Sequence, residues 1–352
     1  MTVFQTFVET IFRLLAERDI QYLVLRNYED LPEKTTNDVD ILIDPSAIKT
    51  AWQTLLDSAE KTGWTLSNIG HFACLSFFFF RTDTLEQTHI DLMPGNRWHF
   101  LVFADDRKIL ANRAPLKGFY IPTPSDEAWV GLSTRLLYGG YVKEKYRPQI
   151  QSTCLRQTDL AQKSFGAFLG RKLAKKVVSL CSKGNWVGVE KLKWRVRFHV
   201  FLNNLRHPIS LFSRLWNDML RFASRYRFPP GLVIGIVGED PTWRNAIATI
   251  LSHDLRSTFY PEKTFRASGE GHAHSILKMA RKTAFGGGLF IVDLPAPNGL
   301  EKRCDLLFSD GVFTTSCHVV PTAMENIGHF VISTVLSFLE IRTGNRASHN
   351  GI

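Results

Sequence analysis

The sequence predicts a mixed chain of α/β (α+β) class with two folded domains, and three observations point to it. Short apolar strand signals alternate with amphipathic helical ones between residues 2 and 93. The triplet Pro229-Pro230-Gly231 is followed at once by a second strand, turn and helix. A length of 352 residues lets each of two domains bury its own core.

Residues 2–19 carry apolar side chains at helical spacing, and Tyr22 to Leu25 reads as a short buried strand ending at Arg26. A polar, Pro-bearing loop (Leu31 to Asn37) leads to a strand over Asp38–Asp44, and Pro45-Ser46 opens a helix to about Thr62. Trp64–Asn68 and Phe72–Arg81 read as an antiparallel pair turned at Gly70, and Thr88–Met93 as a further strand before Pro94-Gly95-Asn96. Beyond Pro122 and Pro124 the pattern becomes helical, with Ser125 as the expected N-cap and Asp126 and Glu127 in the first turn. Helical spacing persists from about 151 to 226, interrupted at Gly184 and Pro208. The expected divisions are 1–150, a basic helical connection 151–228, a second α/β domain 229–345 and a polar tail 346–352.

Charge is distributed unevenly. Residues 142–228 hold 19 Lys or Arg against 4 Asp or Glu, which leaves the rest of the chain net acidic although the whole carries +10. Such a segment suits a polyanionic partner, whether nucleotide phosphate, anionic glycan, anionic lipid surface or nucleic acid; a solvated helical face is the plain alternative. Nothing in the pattern specifies nucleic acid. The N-terminal apolar run is broken by Glu, Arg and Asp, which fits neither a secretory leader nor a membrane span. Five scattered cysteines without a CxxC argue against a disulfide framework or a zinc site. The expectation is a cytoplasmic protein, with a peripheral position at the inner membrane surface as an option.

The chemistry centres on three aspartates. Residues two apart in a strand share a face, so Asp38 and Asp40 project together while Val39, Ile41 and Ile43 face the other way. Two carboxylates in one small volume repel unless a cation neutralises them, and hard oxygen ligands suit Mg²⁺, or Mn²⁺, bridging to substrate phosphates. Asp91 repeats the pattern between Ile90 and Leu92, and a third carboxylate fits a two-metal clamp with ions about 3.5 to 4 Å apart. Asp91 is also placed to serve as general base on an acceptor hydroxyl. A DxD alone is weak, because chains of this length contain one by chance.

The runs Tyr22-Leu-Val-Leu-Arg-Asn27, Asp38-Val-Asp40-Ile-Leu-Ile43 and His89-Ile-Asp91-Leu92 resemble an uncharacterised nucleotidyltransferase family found in bacterial surface-polysaccharide gene clusters. The resemblance spans roughly residues 1 to 150 and extends through Pro122–Glu127 and Tyr138–Tyr146. It implies a polymerase-beta-like fold in which Asp38 and Asp40 bind metal and Asp91 completes the site. It further implies an NTP as one substrate and a hydroxyl or phosphate acceptor, such as a sugar or glycan intermediate. Basic residues at Lys143 and Lys145 match the same resemblance and would reach the triphosphate; a lysine-rich helix end is the alternative. One departure concerns the turn after the first strand, where the wider superfamily has Gly-Gly or Gly-Ser and this chain has Arg26-Asn27. Arg26 is therefore expected to fork onto a phosphate in place of backbone contacts, with pairing to Asp38 or Glu29 as the alternative.

The segment Leu232 to Asn245 has the strand-turn-helix frame of a P-loop and resembles thymidylate-kinase-like domains. Its chemistry is missing. Gly238 stands first, but Trp243, Arg244 and Asn245 replace the second Gly, the Lys and the Ser/Thr, and Trp243 is expected to crowd the loop. Asp293 is placed like the acid that ends a neighbouring strand in such folds. The expected second domain is a kinase-like fold without kinase activity. Glu270-Gly-His272-Ala-His274 carries too few ligands to specify a metal. Two functions stay open: metal-dependent nucleotidyl transfer, and a non-catalytic nucleotide- or polyanion-binding scaffold.

Overall fold

A computed structural model describes residues 1–35, 38–255, 258–259, 263–268, 273–295, 303–309, 318–319 and 327–349. Glu270, His272 and Cys317 lie outside the described residues. The described chain is mixed α/β and predominantly helical. It divides into two compact units, 1–58 with 91–220 and 59–90 with 221–352. These limits differ from the sequence boundaries at 150 and 229, and the first core explains why.

In the first unit, α1 (Val3–Glu17) is capped by the Thr2 hydroxyl, which accepts from the Gln5 amide at 3.0 Å, and buries Phe7, Val8, Ile11, Phe12 and Leu15. Strand β1 (Tyr22–Val24) pairs antiparallel with β2 (Val39–Ile43), Tyr22 opposite Ile43. All five β2 residues are buried, so both faces of this strand are covered. A 3₁₀ turn, Pro45–Ala47, leads into α2 (Ile48–Thr62). Beyond Asp91 come a hairpin β6–β7 (Arg97–Trp98, Leu101–Val102), α3 (Asp106–Ala111) and a hairpin β8–β9 (Ala114–Leu116, Phe119–Ile121). Helix α4 (Pro124–Thr134) is capped by Thr123, not by Ser125. Pro124 sits at the first helical position and Ser125 is buried inside the first turn, so the cap falls one residue before the proline.

Helices α5 (Arg147–Arg156), α6 (Thr158–Ser182, bent at Gly170), α7 (Trp186–Lys191) and α8 (Lys193–Leu205) follow, then α9 (Pro208–Arg227). One continuous core runs from Leu23 and Leu42 through Trp129 and Phe165 to Val196 and Val200. Residues 151–205 are thus packed into the first unit and are not a connection between domains.

In the second unit, β3 (Thr65–His71) pairs antiparallel with β4 (Leu75–Phe80). Gly70 lies within the pairing, opposite Ser76, and the turn is made by Phe72-Ala73-Cys74. Strand β5 spans Gln87–Met93. A second sheet contains β10 (Leu232–Val237), β11 (Phe265–Ser268), β12 (Leu289–Leu294), β13 (Leu306–Ser309) and β14 (His318–Val319). Every pairing in it is parallel and its order is β11-β12-β10-β13-β14. Helices α10 (Pro241–Asp254) and α12 (Ile327–His349) share one apolar layer with β10, and α11 (Ala273–Phe285) covers another.

Candidate metal centre

The three aspartates meet. Asp38 immediately precedes β2, Asp40 lies within it and Asp91 lies in β5, and one carboxylate oxygen from each falls within 4.8 Å of the others. Asp40 and Asp91 are buried, whereas Asp38 is partly open to solvent. An all-carboxylate cluster of this span could hold a metal ion. Its donors are hard oxygens without sulfur or imidazole, the set that suits Mg²⁺ or Mn²⁺ over zinc.

Electrostatics describe the same need for a cation. Burial pushes the Asp40 carboxyl up to about 6; Arg26 pulls the other way, and the charges of Asp38 and Asp91 add to the rise. The Arg26 guanidinium forks onto Asp40, Nε to one oxygen at 2.5 Å and Nη2 to the other at 2.9 Å. Burial works against the Arg26 charge, but Asp40 more than offsets it, so the arginine is held above its ordinary range. A phosphate reaching Arg26 would share donors already directed at Asp40.

Asn27 has φ +56°, the left-handed region that non-glycine residues rarely enter and asparagine enters most readily. It supplies the turn conformation that a glycine would give, so the Arg26-Asn27 departure keeps the backbone turn while adding a side chain.

Two further residues belong to this electrostatic neighbourhood. Arg135 begins a single wide π turn, Arg135–Gly139, closed by Gly140 at φ +75°, and its guanidinium lies over the Tyr146 ring at 4.2 Å. The Arg135 charge is disfavoured chiefly by burial, supported by Tyr146, opposed by Arg26 and supported by Asp40. Insertions of this kind in helices are frequent at functional sites. The only sequence hint of Arg135 was the nearby Gly139-Gly140 pair. Lys143 and Lys145 are exposed; Lys143 precedes a short 3₁₀ turn, Glu144–Tyr146, and Lys145 reaches the Tyr146 ring at 4.9 Å. His89 stacks on Phe78 with ring centroids 4.2 Å apart.

In the second unit, α10 begins at Pro241, only three residues after β10. The Asp240 carboxylate accepts from the Thr242 amide at 2.8 Å, so the chain's own acid caps the helix end where an anion would dock. Arg244 Nε donates to Asp293 Oδ1 at 2.6 Å, and its Nη1 donates to the Gly238 and Glu239 carbonyls. Arg266 donates to the other Asp293 oxygen and, at 2.6 Å, to Asn245 Oδ1. Trp243 does not crowd the loop: the helix begins before it, and its side chain is buried in the core that also holds Ile234 and Ile247.

Compared with protein families, curated proteins and solved structures, the chain matches none.

Proposed function

We propose that this chain is a divalent-metal-dependent nucleotidyltransferase with a polymerase-beta-like first part, joined to a kinase-like P-loop fold without kinase activity. The observation that carries it is the convergence of Asp38, Asp40 and Asp91, from β2 and the residue before it and from β5, within 4.8 Å. Asp38, Asp40 and Asp91 would hold Mg²⁺ or Mn²⁺, which supplies charge neutralisation for a nucleoside triphosphate. In the reaction an acceptor oxygen bonds to the α-phosphorus, the bond to the bridging oxygen breaks, and pyrophosphate departs with that electron pair. Asp91 takes the acceptor proton. Arg26 holds Asp40 in position and Arg135, with Lys143 and Lys145 at the rim, offers positive charge to the phosphates. The acceptor is a hydroxyl or phosphate, and a sugar or glycan intermediate rests on the family resemblance alone.

The parallel order β11-β12-β10-β13-β14 places the first strand of that sheet between the third and fourth, with Asp293 ending its neighbour, and supports the kinase-like reading. Arg244 and Asp240 occupy the groups that a phosphate would need, which supports inactivity. A second reading, a non-catalytic scaffold, draws on one observation: both Asp40 oxygens already accept from Arg26.

Incubation with each NTP, Mg²⁺ and a panel of hydroxyl and phosphate acceptors tests the choice. Pyrophosphate release by wild type and not by the Asp38→Ala, Asp40→Ala double variant supports transfer. Equal release from both, or none with any acceptor, overturns it in favour of the scaffold.

A further inference from the structure

Helices α8 and α9 are built with their apolar sides outward. On α8, Trp194, Phe198, Phe201, Leu202 and Leu205 recur at helical spacing on one side and are exposed, Trp194 to 67% and Phe198 to 58%. The opposite side buries Val196, Val200 and Asn204. On α9, Ile209, Phe212, Trp216, Met219 and Leu220 form a second exposed row, with Phe212 at 69%, and no residue of this helix is buried. A helix packed by its apolar stripe would show the reverse.

The inverted orientation has a cause in polar contacts. Asn204 Nδ2 donates to the Val102 carbonyl at 2.8 Å and its Oδ1 accepts from the Val102 amide at 3.0 Å, which holds α8 to β7 by a polar side chain. Arg214 donates to the Phe100 carbonyl at 3.1 Å and to Asn204 Oδ1 at 2.9 Å, which turns the arginine side of α9 inward. Asn204 and Arg214 spend their donors on the protein, and the aromatic side chains are left outside.

We infer that the outward faces of α8 and α9 dock the protein on an anionic lipid surface, lying in the headgroup boundary. Charge selects this occupant. From Trp186 to Leu220 the exposed ionic side chains are Lys191, Arg195 and Arg206, all cations, while Glu190, Lys193, Arg197, Arg214 and Asp218 are partly buried. A second copy of the chain would bring the same cations against themselves, whereas anionic headgroups complement them. Exposed Trp and Phe flanked by Lys and Arg are the composition that partitions at the water–lipid boundary. Among the described residues no helix is long and apolar enough to cross a membrane, so the contact lies along the surface.

Co-sedimentation of the full chain with vesicles of phosphatidylglycerol mixed with phosphatidylcholine, against phosphatidylcholine alone, tests the inference. Binding is expected to the anionic vesicles, to weaken as salt rises and to quench tryptophan with brominated lipid. The Phe212→Ser, Trp216→Ser variant should lose at least about tenfold in partitioning. Arg195→Glu with Arg206→Glu, both exposed and outside the core, should lose about fivefold per cation while leaving the thermal unfolding transition in place. No binding to anionic vesicles, or equal binding by both variants and wild type, overturns the inference. A dimer that stays off vesicles and dissociates in Phe212→Ser, Trp216→Ser overturns it as well, by assigning the face to a second copy.

Discussion

Beside β2 three carboxylates cluster with one arginine whose fork is taken by Asp40 alone, whereas near the end of β12 one carboxylate is shared between two arginines. The first arrangement keeps an excess of negative charge that a divalent cation would neutralise. The second keeps an excess of positive charge and has its hydrogen-bonding directions filled by Arg244 and Arg266. Asp40, Asp91 and Asp293 all lie within strands among apolar neighbours, so an aspartate in that position says little by itself. The ratio of carboxylate to guanidinium around it separates a cation site from an ion pair that holds the fold.

The largest expected contrast is in metal binding. Asp38→Ala with Asp40→Ala should weaken Mn²⁺ binding by at least about a hundredfold, read by titration calorimetry, since even outer-shell partners of a metal cost ten- to hundredfold. Asp293→Asn should leave that titration unchanged; a comparable loss would erase the distinction between the two acids.

Next come the arginines. Arg26→Ala should destabilise the metal-free chain by roughly 2 kcal/mol, less than the 3–5 kcal/mol of a fully buried broken pair because Arg26 is one-third exposed. Added Mg²⁺ should recover part of that loss, because the cation takes over the neutralisation of Asp40. Urea unfolding with and without Mg²⁺ reads both effects, and a deficit indifferent to Mg²⁺ would count against a cation site. Arg244→Ala should cost about 1–3 kcal/mol, since Arg266 still satisfies one Asp293 oxygen, and Mg²⁺ should recover none of it. The smallest effect is at the cap of α4. Thr123→Ala should cost about 1 kcal/mol in the same assay and leave Mn²⁺ binding as in wild type.

Legibility in the sequence followed the strength of local periodicity. Strand alternation around Asp38-Val39-Asp40 and Ile90-Asp91-Leu92 brought the triad together correctly, because two-residue spacing fixes which side chains share a face. The apolar run Leu232–Val237 is equally clear as a buried strand. Capping was misread by two residues at Thr123, where Pro124 and Ser125 offered competing helix starts. The β3–β4 turn fell on Phe72-Ala73-Cys74 although Gly70 carried the usual turn signal, since glycine tolerates a strand as well. Trp243 reads as an obstruction because it stands where a P-loop has its second glycine; α10 starts at Pro241 and buries the ring instead. The Arg26–Asp40 pairing joins separate strand and loop segments, and Arg135 meets the charges of Arg26 and Asp40 from a distant part of the chain, which no local pattern encodes.

Mn²⁺ titration of the wild-type chain, followed by electron paramagnetic resonance of the free ion, bears most directly on the central claim. Saturable Mn²⁺ uptake is expected, absent from Asp38→Ala, Asp40→Ala and retained in Asp293→Asn. A wild-type chain that takes up no Mn²⁺ at millimolar concentration, or a double variant that takes up as much as wild type, would contradict the assignment of Asp38, Asp40 and Asp91 as a metal centre.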